Sequence, residues 1–410
     1  MISLKDKCFI AIALFYIAYL AFPLISSLTH IPIWSVCIFT SLALLMMYPY
    51  SINQNFIIWF IIYCVILIIY CICDHPFHIN GMGSSNAAHR RLIIEIAWIL
   101  PNILIASVVI KSKSIHIYEI LGMGILIILF LSLLSLLPSL LTYSRILREN
   151  STLVAAGEEE IANNLPGYTL MSCYVYFVPV LCYAFKKTSG LLKLFFLFTL
   201  SLFVFAIIKT EITTSFVSVV LLLLFTIIYK VGKGATSRTI TNLMIFLVLF
   251  IIVYTSGFFH TILNILVDLY QGTSAESKFI EFRDMYLGKG QGHNLSVRKN
   301  LRMLSFQCFM NNPLIGSPGV GEHSSLLDRL GSMGILGFIP YMAMLLTNVK
   351  SWYKLMPDTP ARFFYLAGIL IVFVFLYLKG LFSGEGMLFL TVLLPVPLIY
   401  IYNFTKYKNE

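Results

Sequence analysis

Arg298 and Arg302 lie four residues apart in the segment SVRKNLRMLSFQCFMNN (296–312). Apolar residues recur in that segment at helical spacing, which predicts a helix that ends before Pro313. On such a helix the two guanidinium groups lie one turn apart, and each matches the paired oxygens of a phosphate group. A solvated or headgroup-facing helix surface is the alternative that this spacing leaves open.

His323 lies in the Gly-rich stretch LIGSPGVGEHSS (314–325) just before an apolar helix. Ser324 or Ser325 is suited to cap that helix, with Asp328 in its first turns. Histidines have an ordinary pKa of about 6.5, so a neutral imidazole here can accept a proton as a general base. The alternative is a loop histidine without a chemical role.

Further charges lie at or within predicted membrane helices, where charged side chains are functional candidates. Arg90 and Arg91 precede one helix directly; they either serve a function or extend to lipid phosphates. Glu95 lies inside that helix, and Arg91 is the nearest candidate partner in sequence. Lys209 and Glu211 lie at a turn between two helices, where they pair with each other or join the same polar cavity.

Metal and redox chemistry find little support in the sequence. Asp74, His75 and His78 are grouped, but no second cluster completes a metal site. Cys71 and Cys73 have neither zinc-type nor redox spacing, so we interpret them as packing residues. We therefore predict no metal and no cofactor.

The composition indicates an all-α polytopic membrane protein with one domain, residues 1–410. Hydrophobic residues make up 59% of the 410 residues and charged residues only 11%, and apolar windows of helix-spanning length recur along the chain. We predict about twelve transmembrane helices. The predicted spans are 8–27, 33–50, 55–73, 92–110, 118–142, 168–185, 191–208, 212–229, 239–256, 331–349, 361–381 and 386–403.

The distribution of Lys and Arg predicts the orientation. These residues gather in alternate short connections, which places both termini in the cytoplasm. Part of the net charge of +10 therefore reflects the orientation of the protein in the membrane. Only the Lys and Arg residues on the external side indicate an anionic partner. Nucleic acid is not an expected partner.

The segment 257–330 is predicted to form a large external loop between spans 9 and 10. Within it, FFHTILNILVDLY (258–270) places apolar residues on one helical face, as in a helix that lies in the membrane interface. That face comprises Phe259, Ile262, Ile265, Leu266 and Leu269.

The stretch 296–338 resembles the signature region of the O-antigen polymerase and O-antigen ligase superfamily (Wzy and WaaL). Members have an arginine on a helix, a Pro-Leu-hydrophobic-Gly turn, a histidine, and a Leu-rich helix with a Gly-flanked apolar pair. The matching positions here are Arg298, Pro313, Gly316, His323, Ser324 and GILG at 334–337. The span number, the large loop and the Gly-Tyr entry in 163–179 are also similar. Many members have a mid-chain Ser-Arg pair, where this chain has only Lys209.

The resemblance implies a GT-C-like fold and an inverting, metal-independent glycosyltransferase on the periplasmic face of the bacterial inner membrane. Undecaprenyl-diphosphate-linked glycans would be donor and acceptor, and His323 would accept the proton of the attacking hydroxyl group. Arg298 and Arg302, with Arg91 and Lys209, would stabilise the departing diphosphate. Supporting roles would fall to Arg90, Glu95, Glu211 and Ser324.

Two further interpretations remain at this point. HSSLLDRLGSMGI (323–335) is more similar to the repeat-unit polymerases than to the ligases, which transfer the glycan to lipid A-core. A polymerase would work with a chain-length regulator and a flippase, within membrane lipids. A lipid-linked oligosaccharide flippase would itself be basic and multi-spanning, but it would have inverted repeats, and the asymmetric loop 257–330 disfavours it.

Overall fold

A computed structural model describes most of the chain. The described ranges are 3–22, 31–50, 54–75, 88–112, 114–142, 168–209, 213–229, 257–272, 276–287, 293–378 and 387–407, with single positions 25, 29, 77, 241, 245 and 248. Within these ranges the regular structure is helical and no β-strand is found. The all-α class predicted from composition is confirmed.

The helices are numbered here in chain order. The first eight are α1 Leu4–Ala21, α2 Ile33–Met47, α3 Asn55–Ile72, α4 Ala88–Ser112, α5 Ile115–Thr142, α6 Tyr168–Lys187, α7 Gly190–Lys209 and α8 Thr213–Ile228. The remainder are α9 Phe258–Leu269, α10 Glu276–Tyr286, α11 His293–Asn311, α12 Ser325–Leu355, α13 Thr359–Leu378 and α14 Pro395–Tyr407, with a π-helical turn at Phe389–Leu393.

Seven helices in the described ranges are long and apolar enough to cross a membrane, and three shorter apolar helices accompany them. In a regular α-helix the backbone polar groups of the interior are bonded within the segment, which suits hydrocarbon surroundings. The chain is therefore a multi-pass α-helical membrane protein. Most of the predicted span 239–256 lies outside the described residues, so the number twelve stays a prediction.

Short connections make successive helices antiparallel, which defines two ends of the bundle. At the end that we call the upper end, α3 finishes at Ile72 and α4 and α12 begin. At the lower end, α4 finishes at Ser112, α6 passes into α7, and α12 passes into α13. The first turns of α4 and α12 therefore lie at the same end.

Two groups of helices form the core. α12 packs closely along α3 and α11, and α4 packs against α2 and α3. α6 packs against α7, α8, α13 and α14. Tyr176 of α6 connects this second group, because its ring lies 5.2 Å from Phe375 of α13 and 5.2 Å from Phe389 of the π-helical turn.

The segment 257–330 contains α9, α10 and α11. The amphipathic helix predicted at 258–270 is confirmed as α9, with Leu263 buried and Ile265 and Leu269 exposed. α9 packs against α10, where Phe259 and Tyr286 place their ring centroids 5.4 Å apart. The polar sequence of α10 carries little apolar periodicity, and this helix was not predicted.

Candidate functional site

The two arginines lie on α11 as their spacing predicts. Helix α11 spans His293–Asn311, so Arg298 and Arg302 are one turn apart, and both are half-buried. The guanidinium carbon of Arg302 lies 5.7 Å from the ring centroid of Tyr377, in the last turn of α13. The packed face of α11 is formed by Leu301, Ser305 and Cys308, whereas Val297 and Leu304 are exposed.

The loop between α11 and α12 folds back onto the turn of α11 that carries these arginines. The backbone N–H of Gly321 donates to Ser305 Oγ at 2.9 Å. A side chain at position 321 would collide with the backbone of Leu301, so only glycine allows this approach. His323 lies two residues further along this loop, which contacts α11 at Leu301 and Ser305.

A buried carboxylate holds the end of the loop. Asp328 accepts from Ser305 Oγ at 2.5 Å and from the backbone N–H of Ser324 at 2.8 Å. Ser324 is the N-cap of α12, because its hydroxyl accepts from the Leu327 N–H at 3.2 Å. The predicted cap is confirmed, and the loop is bonded to both helices that flank it.

The residue before His323 has an uncommon backbone conformation. Glu322 has φ +55°, in the left-handed region that residues other than glycine rarely adopt. Conformations of this kind cluster at functional sites, where the surrounding structure holds them. The bonds from Gly321 to Ser305 and from Ser324 to Asp328 provide that support on both sides of Glu322.

Helix α12 is broken at Gly334, and the loop fills part of the break. Gly334 has φ +58° and ψ −165°, which interrupts the helical hydrogen bonds. The amides of Ile335 and Leu336 donate instead to the carbonyls of Pro313 (2.8 Å) and Leu314 (3.1 Å). The loop thereby replaces hydrogen-bond acceptors that a continuous helix would supply.

The carbonyl groups released by the same break are also bonded. Ser317 N–H donates to the Gly331 carbonyl at 2.8 Å. The Tyr70 hydroxyl donates to the Met333 carbonyl at 2.7 Å, and His75 Nε2 lies 3.1 Å from the Ser332 carbonyl. Because a carbonyl can only accept, His75 must carry its proton on Nε2 in this contact. The end of α3 therefore fixes the position of the break.

A buried ion pair lies one turn into α12. Arg329 Nη1 is 2.6 Å from Glu95 Oε1, and both side chains are almost fully buried. The Tyr63 hydroxyl donates to the same carboxylate oxygen at 3.0 Å, and the guanidinium carbon lies 4.4 Å from the Tyr341 ring centroid. Arg91 was the predicted partner of Glu95. That prediction is wrong because Arg329 approaches from a neighbouring helix and occupies the carboxylate.

The other predicted cations are distributed differently. Arg91 is buried; it donates to the Phe77 carbonyl, and its guanidinium carbon lies 5.1 Å from the Phe77 ring centroid. Arg90 is exposed at the same upper end. Lys209 lies 5.9 Å from the Phe205 ring centroid on α7, which packs mainly against α5, α6 and α8 rather than against α11 or α12. Glu211 lies outside the described residues.

Sequence reasoning missed three contributors, Arg329, Ser305 and Tyr70. Arg329 carried a usable signal, because a charged residue within an apolar helix requires a partner and Glu95 required one as well. Ser305 and Tyr70 carried no comparable signal, because a serine or tyrosine within a helix is common. Ser305 bonds to a backbone N–H of the loop, and Tyr70 bonds to a backbone carbonyl at the break in α12. Both roles therefore depend on the folded positions of those backbone groups.

The fold and the site together define the class of the protein. It is a multi-pass helical membrane protein with a loop, His323 and two arginines held at the upper end of the bundle. No known protein-family model matches the sequence, and no curated protein matches it. The resemblance to the O-antigen polymerases and ligases therefore depends on the residues of α11, the loop and α12.

Proposed function

We propose that the protein is a glycosyltransferase that polymerises undecaprenyl-diphosphate-linked oligosaccharide repeat units. It would act on the periplasmic face of the bacterial inner membrane, in the synthesis of O-antigen or a related polysaccharide. The observation that carries the proposal is the contact of Gly321 with Ser305 and Leu301. This contact docks the loop that contains the candidate base, His323, onto the helix that contains the two candidate phosphate ligands, Arg298 and Arg302.

In the proposed reaction, an acceptor hydroxyl oxygen attacks the anomeric carbon of the donor glycan. The new glycosidic C–O bond forms as the bond between the anomeric carbon and the diphosphate oxygen breaks. His323 accepts the hydroxyl proton, a role that contributes about 10²–10⁴-fold in typical enzymes. The inversion follows because the hydroxyl group attacks from the side opposite the leaving group.

The leaving lipid diphosphate gains negative charge in the transition state. Arg298 and Arg302 supply permanent positive charge and several N–H donors on one side of α11. The helix that carries them is held in place before the reaction, since α11 is bonded to the loop and to α12 through Ser305. Such preorganised donors stabilise developing charge without reorganisation during the reaction.

The proximity of Arg302 to Tyr377 supports a lipid-linked donor. Tyr377 lies at the upper end of a row of exposed side chains on α13. The other members of this row are the apolar residues Leu366, Leu370 and Val374. A cation at the end of such a row suits a ligand with a phosphate group and a long hydrocarbon chain. A soluble sugar nucleotide has no long hydrocarbon chain, so it would interact with Arg302 but not with the apolar row.

A deletion strain that carries plasmid-borne variants tests this proposal. Wild-type protein should restore long chains, whereas His323→Ala should leave lipid A-core with a single repeat unit at normal membrane abundance. His116→Ala is the matched control, since His116 is exposed at the lower end of the bundle, and it should restore full-length chains. Wild-type chain lengths with His323→Ala would contradict the proposal.

The phenotype of the deletion strain separates the alternatives. Bare core with accumulated lipid-linked polymer would indicate a ligase, and lipid-linked repeat units retained in the cytoplasmic leaflet would indicate a flippase. Arg298→Lys should also lose chain extension, because the charge remains but the paired N–H donors are lost. Lys299→Ala, on the exposed side of α11, is the control for that variant.

A further inference from the structure

An apolar cavity lies in the lower half of the bundle, between α5, α6, α7 and α14. Its volume is about 220 Å³. Its lining includes Leu126, Phe130, Leu181, Phe196, Phe203 and Tyr400. It shares no lining residue with the site formed by α11, the loop and α12, so it is a separate site.

The cavity lining presents hydrocarbon to an occupant. The lining hydroxyl groups of Thr188 and Thr199 donate to carbonyls four residues earlier in the chain, at 2.8 Å to Ala184 and 2.9 Å to Phe195. A polar ligand would lose its hydrogen bonds to water here without replacement. For comparison, an engineered apolar cavity of about 150 Å³ accommodates benzene, so this cavity is large enough for a hydrocarbon chain segment.

The cavity is bordered by side chains on the outer surface of the bundle. Ile127 and Leu131 of α5 and Phe195 of α7 line the cavity and are between 44% and 49% exposed. These residues lie within apolar helices long enough to cross the membrane, so their exposed surface faces lipid. A hydrocarbon chain can therefore enter sideways from the bilayer.

A cation lies at the lower end of this opening. Lys193 is exposed in the first turn of α7, next to the lining residue Leu192, and its ammonium group is 4.7 Å from the Phe185 ring centroid. A lysine at a membrane surface attracts the phosphate groups of anionic lipids. The cavity and Lys193 together match one lipid molecule, with its chain upward and its headgroup at the lower end.

We propose that this cavity binds one acyl chain of an anionic phospholipid, whose headgroup phosphate is held by Lys193. A ligand that binds only the folded state stabilises it by mass action. The lipid would therefore stabilise the contacts among α5, α6, α7 and α14. The proposal does not depend on the glycosyltransferase activity, and its test does not measure that activity.

The test is the thermal unfolding of the purified full-length protein in detergent during titration with phosphatidylglycerol. The wild type should show a saturable increase in Tm, and phosphatidylethanolamine should require a higher concentration. Lys193→Gln should raise the phosphatidylglycerol concentration at half-saturation about fivefold, the expected effect of one lysine near a phosphate surface. Lys350→Gln, an exposed lysine in the lower part of α12, should leave it unchanged.

A second variant tests the cavity itself. Leu126→Trp fills the cavity and should abolish the saturable increase, whereas Leu346→Trp, on an exposed face of α12, should retain it. The absence of a saturable increase in the wild type would overturn the proposal. Equal responses of Lys193→Gln and Lys350→Gln, or of the two tryptophan variants, would overturn it as well. If Leu126→Trp does not fold, the comparison of Lys193→Gln with Lys350→Gln tests the proposal.

Discussion

Arg329 and Glu95 form a buried ion pair, with 2.6 Å between Nη1 and Oε1, although they are 234 residues apart in the sequence. The pair joins α4 to the first turns of α12, just after the loop that carries His323. The position of His323 is therefore connected through α12 to α4, the helix that contains Arg90 and Arg91. The ion pair is a structural link between two regions that are far apart in the sequence.

Removal of Arg329 should destabilise the protein strongly. Arg329→Met leaves the Glu95 carboxylate buried without its cation, and loss of one partner of a buried pair costs about 3–5 kcal/mol. We expect a lower Tm in detergent and a lower membrane abundance. The double variant Arg329→Met/Glu95→Leu should recover part of the loss because no charge then remains buried.

His116→Ala is the control for this prediction. His116 and Glu119 form an exposed contact at 3.3 Å, and exposed pairs contribute little to stability. This variant should unfold like the wild type. A single Arg329→Met variant as stable as the double variant would refute the energetic role of the pair.

The sequence predicted the parts of the structure that depend on local pattern. The periodicity and the Ser324 cap of α12 are visible in the residues themselves, and the structure has both. The spacing of Arg298 and Arg302 likewise requires only that α11 be helical. These features follow from backbone geometry that extends over a few neighbouring residues.

The features that the sequence did not predict correctly depend on contacts between residues that are far apart in the chain. The pairing of Glu95 required knowledge that α12 packs against α4, and proximity in sequence favoured Arg91 instead. The break at Gly334 depends on acceptors from Pro313 and Leu314 and on donors such as Tyr70. No local pattern specifies such contacts, because each one follows from how the helices pack.

Cys308 provides a chemical test of the docked loop. Its thiol donates to the Pro318 carbonyl at 3.3 Å, and burial raises the pKa of the thiol. Less thiolate is therefore present near neutral pH, and alkylation should be slow at about pH 8 and faster as the pH rises. Gly321→Ala should displace the loop from Leu301 and accelerate the alkylation of Cys308.

This measurement requires a background in which the other cysteines are replaced, since the chain contains 8. Gln307→Ala, an exposed neighbour on α11, should leave the alkylation rate unchanged. Rapid labelling of Cys308 in the otherwise wild-type protein, or equal rates with and without Gly321→Ala, would show that the loop is not docked as described.

Tyr70 should stabilise the break in α12 through one hydrogen bond. Tyr70→Phe removes the donor to the buried Met333 carbonyl, and an unsatisfied buried acceptor costs about 1–3 kcal/mol. The measurement is the Tm in detergent. Tyr365→Phe is the control, because that buried hydroxyl makes only a long contact of 3.4 Å to the Val349 carbonyl. A Tyr70→Phe variant no less stable than the control would contradict this role.

The Tyr377 ring should position Arg302 for the diphosphate of the donor, if the proposed activity is correct. Tyr377→Leu removes the ring, and an exposed cation–π contact contributes about 0.5–1 kcal/mol, which corresponds to about a two- to fivefold increase in the KM for the donor. Tyr377→Phe retains the ring and should retain the wild-type KM. Kinetics with a defined lipid-linked repeat unit would measure both variants.

A second cation–π contact in the same protein supplies the control for Tyr377. Arg362 lies 5.6 Å from the ring centroid of Tyr353, at the lower end of the bundle. Tyr353→Leu removes a contact of the same type and distance, but it does so far from His323, so the donor KM should not change. Should Tyr353→Leu and Tyr377→Leu raise the KM equally, the effect would be one of general stability, and Tyr377 would have no specific role in holding Arg302.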